Sequence, residues 1–429
     1  MKASARQPLG RRPLYPNEAL QRRTLVVLAI MQVIGTVGVG IAPSIGVLLA
    51  GEVTQSEGWA GLARAASTLG AALFGLPLGT LAARFGRRFA LAGGWWAAAA
   101  GSAILVVAAQ ASLVIPMFVG LLLIGAGSAV SLQARFAATD LAEPHRTGRS
   151  LALVVWVGTI GSVLGPNLGV PGEVVGGWTG LNVFAGAFAI ATVCLALAGL
   201  IVFIWLRPDP LQVLSRQADA PPTTGKRPAR MRLLLTELRS NRVARYAAIA
   251  IITAQVVMAA VMTMTPVHVA AQGGSIALVG ITISLHVLGM YALSPIVGYV
   301  ADRYGPRATI TIGILVFLAS LLFAVIRPHD TGWVIASLIL LGVGWSFVSV
   351  AGSALFSEVV SGQARASAQG GVDALAHLLG AMAAFAAGPL LVLTNFSMVA
   401  VAAIAALIPL AYLTLRLGRW SVDSVGRRP

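Results

Sequence analysis

The sequence predicts an all-α membrane protein: twelve transmembrane helices in two six-helix, pseudo-symmetric bundles. Three observations predict it. Hydrophobic residues make up 57% of the 429-residue chain and charged residues only 10%, against roughly 25% charged in a soluble globular domain. The apolar residues come in runs that reach the length of about 20 residues a helix needs to cross a bilayer core. The basic residues are segregated. Of 30 Lys and Arg, all but Arg64, Arg135 and Arg327 belong to the termini, to the loops after even-numbered spans or to the span ends that border them; Arg64 lies within a span, Arg135 at a span's inner end and Arg327 in a loop on the other side. This is the positive-inside pattern. It predicts a multi-pass protein of the cell inner (plasma) membrane with both termini cytoplasmic.

In chain order the expected spans are 25–50, 59–83, 89–109, 112–134, 151–170, 181–206, 244–271, 276–300, 308–326, 332–356, 368–393 and 397–417. The basic stretch before span 1, with Arg11, Arg12, Arg22 and Arg23, superficially resembles a signal peptide. The apolar run from Leu25 is too long for one and ends in no clean small-residue cleavage site, so it reads as a retained span. The loop 51–58 carries Glu52 and Glu57 and no base. Arg64, near the outer end of span 2, is expected to snorkel to headgroups or to pair with one of those carboxylates. Arg135, near the inner end of span 4, reads as a helix-end salt bridge or as a contact for an anionic substrate. Span 6 holds Cys194, the one cysteine, so there is no disulfide framework.

Residues 207–243 form the longest polar stretch, rich in Arg and Pro. They read as a cytoplasmic linker between an N-terminal bundle, 1–206, and a C-terminal bundle, 244–429, with a short surface helix over 231–238. The net charge of +16 follows the loops of one face, which suits anionic lipid headgroups rather than nucleic acid.

The halves repeat. Gly79-Thr80-Leu81-Ala82-Ala83-Arg84-Phe85-Gly86-Arg87-Arg88 follows span 2. Gly298-Tyr299-Val300-Ala301-Asp302-Arg303-Tyr304-Gly305-Pro306-Arg307 follows span 8, at an offset of 219 residues. Duplicated halves related by an axis along the membrane normal are a transporter design. The two stretches resemble the signature loop of the major facilitator superfamily, and the resemblance covers essentially the whole chain. It implies alternating access by rocking of the halves, usually coupled to a proton or ion gradient. It also implies gating roles for Gly79, Arg84, Gly86, Arg87, Gly298, Asp302, Arg303 and Gly305. Ala83 stands where the superfamily pattern has Asp, so the N-terminal latch is expected to be the weaker, with Arg84 paired elsewhere, at Asp140 or Glu143. In span 5, Gly158, Gly161, Gly165, Pro166 and Gly169 resemble the antiporter motif of drug exporters, with a kink at Gly165-Pro166. Simple packing explains them equally well.

Two further patterns carry chemistry. Met258-x-x-x-Met262 in span 7 and His286-x-x-x-Met290 in span 8 each place two ligands one turn apart on a helix face. Thioether and imidazole together suit Cu(I). These four residues resemble the MxxxM and HxxxM motifs of the CcoA-type copper importers, which implies that they bind the metal. Met is also a common filler of apolar cores. In span 11, Asp373 and His377 share a face, and ionisable groups inside a membrane are functional candidates. This pair is the proton-coupling candidate. Polar residues expected along the cavity include Gln32, Gln133, Gln255 and Trp345.

The sequence contains no phosphate-binding loop, no zinc-spaced Cys/His set and no nucleophile elbow, so it is not read as an enzyme or an ATP-driven pump. The expected function is proton-coupled secondary transport of a small solute, organic efflux being favoured over copper import. A non-transporting receptor or assembly factor is the third reading. No cofactor is expected, and Cu(I) enters only as cargo. The expected partners are the bilayer and a small-molecule or metal-ion substrate, with no nucleic acid, and the expected state is a monomer.

Overall fold

The structure is a computed structural model that describes residues 16–142, 147–213, 238–239, 241–360 and 364–416. The expected surface helix over 231–238 lies almost entirely outside these residues. Among them, eleven helices are long and apolar enough to cross a membrane, and one bent pair makes a twelfth span.

Span 1 is α1 (Pro16–Val39) and α2 (Val47–Thr54), joined by a π-helical turn at Ala42–Gly46. α3 (Ala60–Phe85), α4 (Arg87–Gln110) and α5 (Val114–Ala137) are spans 2 to 4. Span 5 is α6 (Thr147–Leu164) and α7 (Gly169–Thr179), and α8 (Val183–Trp205) is span 6. α9 (Arg242–Ala271) opens the second half. Span 8 is α10 (Ile276–Tyr291) and α11 (Ser294–Tyr304). α12 (Pro306–Ile326), α13 (Thr331–Val359), α14 (Ala364–Leu393) and α15 (Phe396–Arg416) complete the bundle. Several helices start where the sequence supplies a cap. Asn182, Asn241, Ser275 and Asp330 each accept a backbone N–H of the following turn, which satisfies donors that a helix leaves unpaired.

Span 1 begins earlier than hydropathy suggests, because polar Gln21 still belongs to the bundle: its Nε2 donates to the Ala138 carbonyl at 2.7 Å. Span 5 breaks at Gly165–Asn167, and its two parts meet at 54°.

The N-terminal half packs around two apolar clusters and the C-terminal half around one large and one small one. Small residues set the close approaches, as membrane packing demands. A Cβ on Gly70 of span 2 would run into the Leu122 carbonyl of span 4, and one on Gly165 would lie 2.7 Å from Gly40 Cα.

The halves meet at the end opposite the basic loops. There Gly61 abuts the Ala384 carbonyl and Gly388 abuts the Gly58 carbonyl, joining spans 2 and 11. Ser284 of span 8 donates to the Val163 carbonyl at 2.6 Å and accepts from Asn167 Nδ2 at 2.6 Å, joining spans 8 and 5. At the basic end, Arg84, Asp302 and Arg303 are exposed, and a Cβ on Gly298 or Gly305 would meet nothing within 4 Å. The cleft between the halves is thus sealed at one end and splayed at the basic end.

Candidate functional site

The C-terminal wall of the cleft is built at an interruption in span 8. α10 ends at Tyr291 and α11 begins at Ser294. Backbone irregularity inside a membrane is tolerated where it faces protein or a wet cavity, and discontinuous helices mark transporter binding sites. The Tyr291 ring packs edge-on against Trp345 of span 10, centroids 5.8 Å apart. Trp345 Nε1 donates to Gln255 Oε1 at 3.2 Å. Gln255 is held in turn against Gly380 of span 11, where a Cβ would lie 3.0 Å from its Cγ. Four helices of one half thereby fix an aromatic and amide wall.

The N-terminal half contributes two cations. Arg64 acts electrostatically on His286, Tyr291 and His377, and Arg135 on Tyr291, Asp373 and His377. Neither guanidinium forms an ion pair among the described residues. The expectation for Arg64 is corrected: it belongs to the interior, not to the headgroups or to Glu52. The reason is helical phase. Gly61, one turn earlier, is the contact point with span 11, so Arg64 shares the face turned to the other half.

Asp373 is exposed in the splayed part of the cleft and His377 is half-buried. His377 Nδ1 donates to the Asp373 backbone carbonyl at 2.9 Å, not to its carboxylate. The two side chains therefore sit a turn apart on one face, and the Asp373 carboxylate has no ion-pair partner among the described residues.

The candidate metal ligands lie deeper. Met258, Met262 and Met290 all belong to the apolar core of the C-terminal half, each 6% exposed or less. His286 is fully buried. Its Nδ1 donates to the Leu338 carbonyl at 2.8 Å, while its Nε2 has no partner.

A sequence model of the Major Facilitator Superfamily matches residues 25–281 and 269–422, nearly the whole chain in two successive blocks. The chain belongs to the major facilitator superfamily. It is 35% identical over 385 residues to the MFS-type transporter YddS of Bacillus subtilis (strain 168), covering 89% of this chain and 88% of that one. It is 29% identical over 374 residues to the riboflavin transporter RfnT of Brucella anthropi, covering 86% and 89%. Among solved structures it resembles a nucleoside transporter NupG mutant, with a TM-score of 0.70 at 16% identity over 92% of this chain and all of that one. A bacterial homologue of the lysosomal transporter Spinster gives 0.66 at 14% identity, over 96% of this chain and all of that one. These likenesses show the fold. The chain is a major facilitator transporter and not an enzyme.

The two signature loops of this superfamily member differ in a way the sequence did not foretell. Gly86 and Gly305 occupy matched positions with φ of +93° and +85°, a region that essentially only glycine adopts. Arg87 pairs with Asp140 through two hydrogen bonds, so Asp140 is taken by Arg87 and not by Arg84, which is exposed. Glu143 lies outside the described residues. The N-terminal copy, which lacks the Asp, holds the ion pair. In the C-terminal copy Asp302 is exposed and forms no ion pair among the described residues, and Arg303 rests on the Tyr304 ring.

Two residues expected along the substrate path are held against neighbouring helices. Gln133 accepts from Arg87 Nη1 at 3.1 Å and donates to the Gly75 carbonyl at 3.3 Å, and its amide faces Gly79. Gln32 is buried between spans 1 and 5 against Gly158, with its Oε1 unpaired. Sequence reading missed Tyr291, whose only signal is its place between the His286 and Met290 pattern and the Ser-Pro that restarts the helix.

Proposed function

We propose that this major facilitator protein is a proton-coupled secondary transporter that moves a small organic solute across the inner membrane by alternating access. In this reading both termini are cytoplasmic, the basic face is the cytoplasmic face, and the splayed cleft opens inward. The 207–243 segment is then the cytoplasmic linker between bundles 1–206 and 244–429. The single observation that carries it is Asp373. Its carboxylate stands unpaired in the cleft, one turn from His377 and within electrostatic reach of Arg135 from the other half. A carboxylate so placed takes a proton from water when the cleft faces one side and releases it to water on the other side, where the Arg135 guanidinium, itself always charged, favours the ionised carboxylate; this ties protonation to rocking. Asp302, at the free signature loop, changes partners as the halves close.

The test is purified protein in proteoliposomes with a pH-sensitive dye inside. Substrate-driven proton movement is expected for the native protein and absent for Asp373→Asn, while solute exchange without a gradient persists. Proton movement that survives Asp373→Asn would refute the coupling role.

Copper import is the second reading, favoured by one observation: the buried, unpartnered Nε2 of His286. It requires a thioether of Met258, Met262 or Met290 to meet that nitrogen at a shared metal ion. Copper uptake abolished by Met262→Leu would support it.

A further inference from the structure

We propose that His268, Gln272, His329 and the Pro328 carbonyl form a binding site for one divalent transition-metal ion, of the Zn²⁺, Cu²⁺ or Ni²⁺ kind, at the end of the molecule opposite the basic loops. The ion clasps span 7 to the loop between spans 9 and 10. The site stands apart from the cleft and does not depend on the transporter reading.

Four donor groups converge on one point. His268 lies in the last turn of α9 and Gln272 at its C-terminal cap, one turn further on. Pro328 and His329 belong to the short loop between α12 and α13. Gln272 Nε2 stands 2.9 Å from His268 Nε2, 2.9 Å from the Pro328 oxygen and 3.5 Å from His329 Nδ1. The Pro328 oxygen is itself 2.6 Å from His268 Nε2. An amide at that point cannot satisfy all of these contacts. With a hydrogen on Nε2, His268 donates to Pro328 and faces the amide hydrogens of Gln272. Without one, it accepts from the amide and faces the lone pairs of the carbonyl. Turning the amide over brings its oxygen against the Pro328 oxygen. A cation at the same point meets lone pairs alone: two imidazole nitrogens, the carbonyl oxygen and, with the amide turned, Gln272 Oε1.

The frame that holds these donors is in place. The His268 ring lies flat on Phe396 of span 12, with centroids 4.2 Å apart and planes at 7°, which fixes the direction of its Nε2. The Asp330 N–H donates to the Arg327 carbonyl at 3.3 Å and closes the turn that carries Pro328 and His329. Asp330 Oδ1 in turn accepts from the Gly332 and Trp333 N–H groups, which anchors that turn to the start of α13. Arg327, the cation of this loop, rests on the Trp333 ring, 5.6 Å from its centroid. Gln272 and His329 are exposed, so their side chains can close to the zinc–nitrogen distance of about 2.0–2.1 Å. A recess of about 530 Å³ lined by residues 326–332 gives the ion a way in. The ligands select the metal. Imidazole suits Zn, Cu and Ni, whereas Mg and Ca prefer carboxylates, and no third His, Cys, Asp or Glu joins the two histidines among the described residues. Without a thiolate or a carboxylate, the ion stays exchangeable.

The experiment titrates the full chain in detergent, its affinity tag removed and its metals stripped with EDTA, with zinc chloride by calorimetry. One equivalent of Zn²⁺ is expected to bind and to raise the thermal midpoint, while Mg²⁺ does neither. His329→Ala removes an exposed ligand and should leave the metal-free thermal midpoint unchanged. It should weaken Zn²⁺ binding by about tenfold or more, because loss of even an outer partner of a metal ligand costs about 10–100-fold. His268→Gln should weaken binding as much, and Gln272→Ala less. Zn²⁺ bound with native affinity by both His variants, or no Zn²⁺ bound by the native chain, overturns the proposal.

Discussion

The Arg87 guanidinium holds both carboxylate oxygens of Asp140, at 2.8 and 3.1 Å, and gives a third bond to Gln133 at 3.1 Å. The two ion-pair side chains are 13% and 9% exposed. This one cluster ties the start of span 3 to the end of span 4 and, through Gln133, to Gly75 of span 2. Removing either partner leaves the other charged and mostly buried. Arg87→Ala and Asp140→Ala should therefore each lower stability by about 2–3 kcal/mol, read as a fall in thermal midpoint in detergent. The double variant should be no worse than either single one, because the pair acts as a unit.

Asp209, just after span 6, supports the same loop from the other side. It accepts from the Arg88 backbone N–H at 2.7 Å and fills the space where Gly86 has no side chain. It thus caps α4 from a distant segment. Asp209→Ala should cost about 1 kcal/mol, the usual loss for a helix cap, and Asp209→Asn much less. Equal losses for the two variants in thermal unfolding would show that the cap is not its role.

At the sealed end Gly388 touches the Gly58 carbonyl across the two halves. A methyl group there cannot be accommodated without separating spans 2 and 11. Gly388→Ala should shift the population toward the state open at that end. A single cysteine placed in the loop 51–58, in a Cys194→Ser background, should then react faster with a membrane-impermeant thiol reagent. Gly75→Ala, where a Cβ meets nothing within 4 Å, should leave the rate unchanged.

Met258 and Met262 are core residues here, 3% and 4% exposed. Met258→Leu and Met262→Leu conserve volume and should change stability by less than about 1.5 kcal/mol. Transport of an organic solute should be unaffected, as measured by exchange in proteoliposomes.

Much was legible from residue order alone. Apolar runs set the twelve spans, because water is absent from the bilayer core and only a helix satisfies its own backbone there. The basic loops marked one face, and the 219-residue offset announced the duplication. Gly165-Pro166 marked the bend in span 5. None of these depends on which helix touches which. The cleft was another matter. Arg64 looked like a headgroup anchor, and the packing turned it inward. Arg64 follows Gly61 onto the face toward the other half, while Gln133 turns to Arg87 and Gly75. Tyr291 gained its place only from a break in span 8 that hydropathy cannot register. Partition into lipid is a property of each segment by itself, so sequence determined the number and approximate length of the helices. The facing of a side chain depends on helix phase and on glycine contacts between segments far apart in the chain, so only the tertiary structure decided which charges share the cleft.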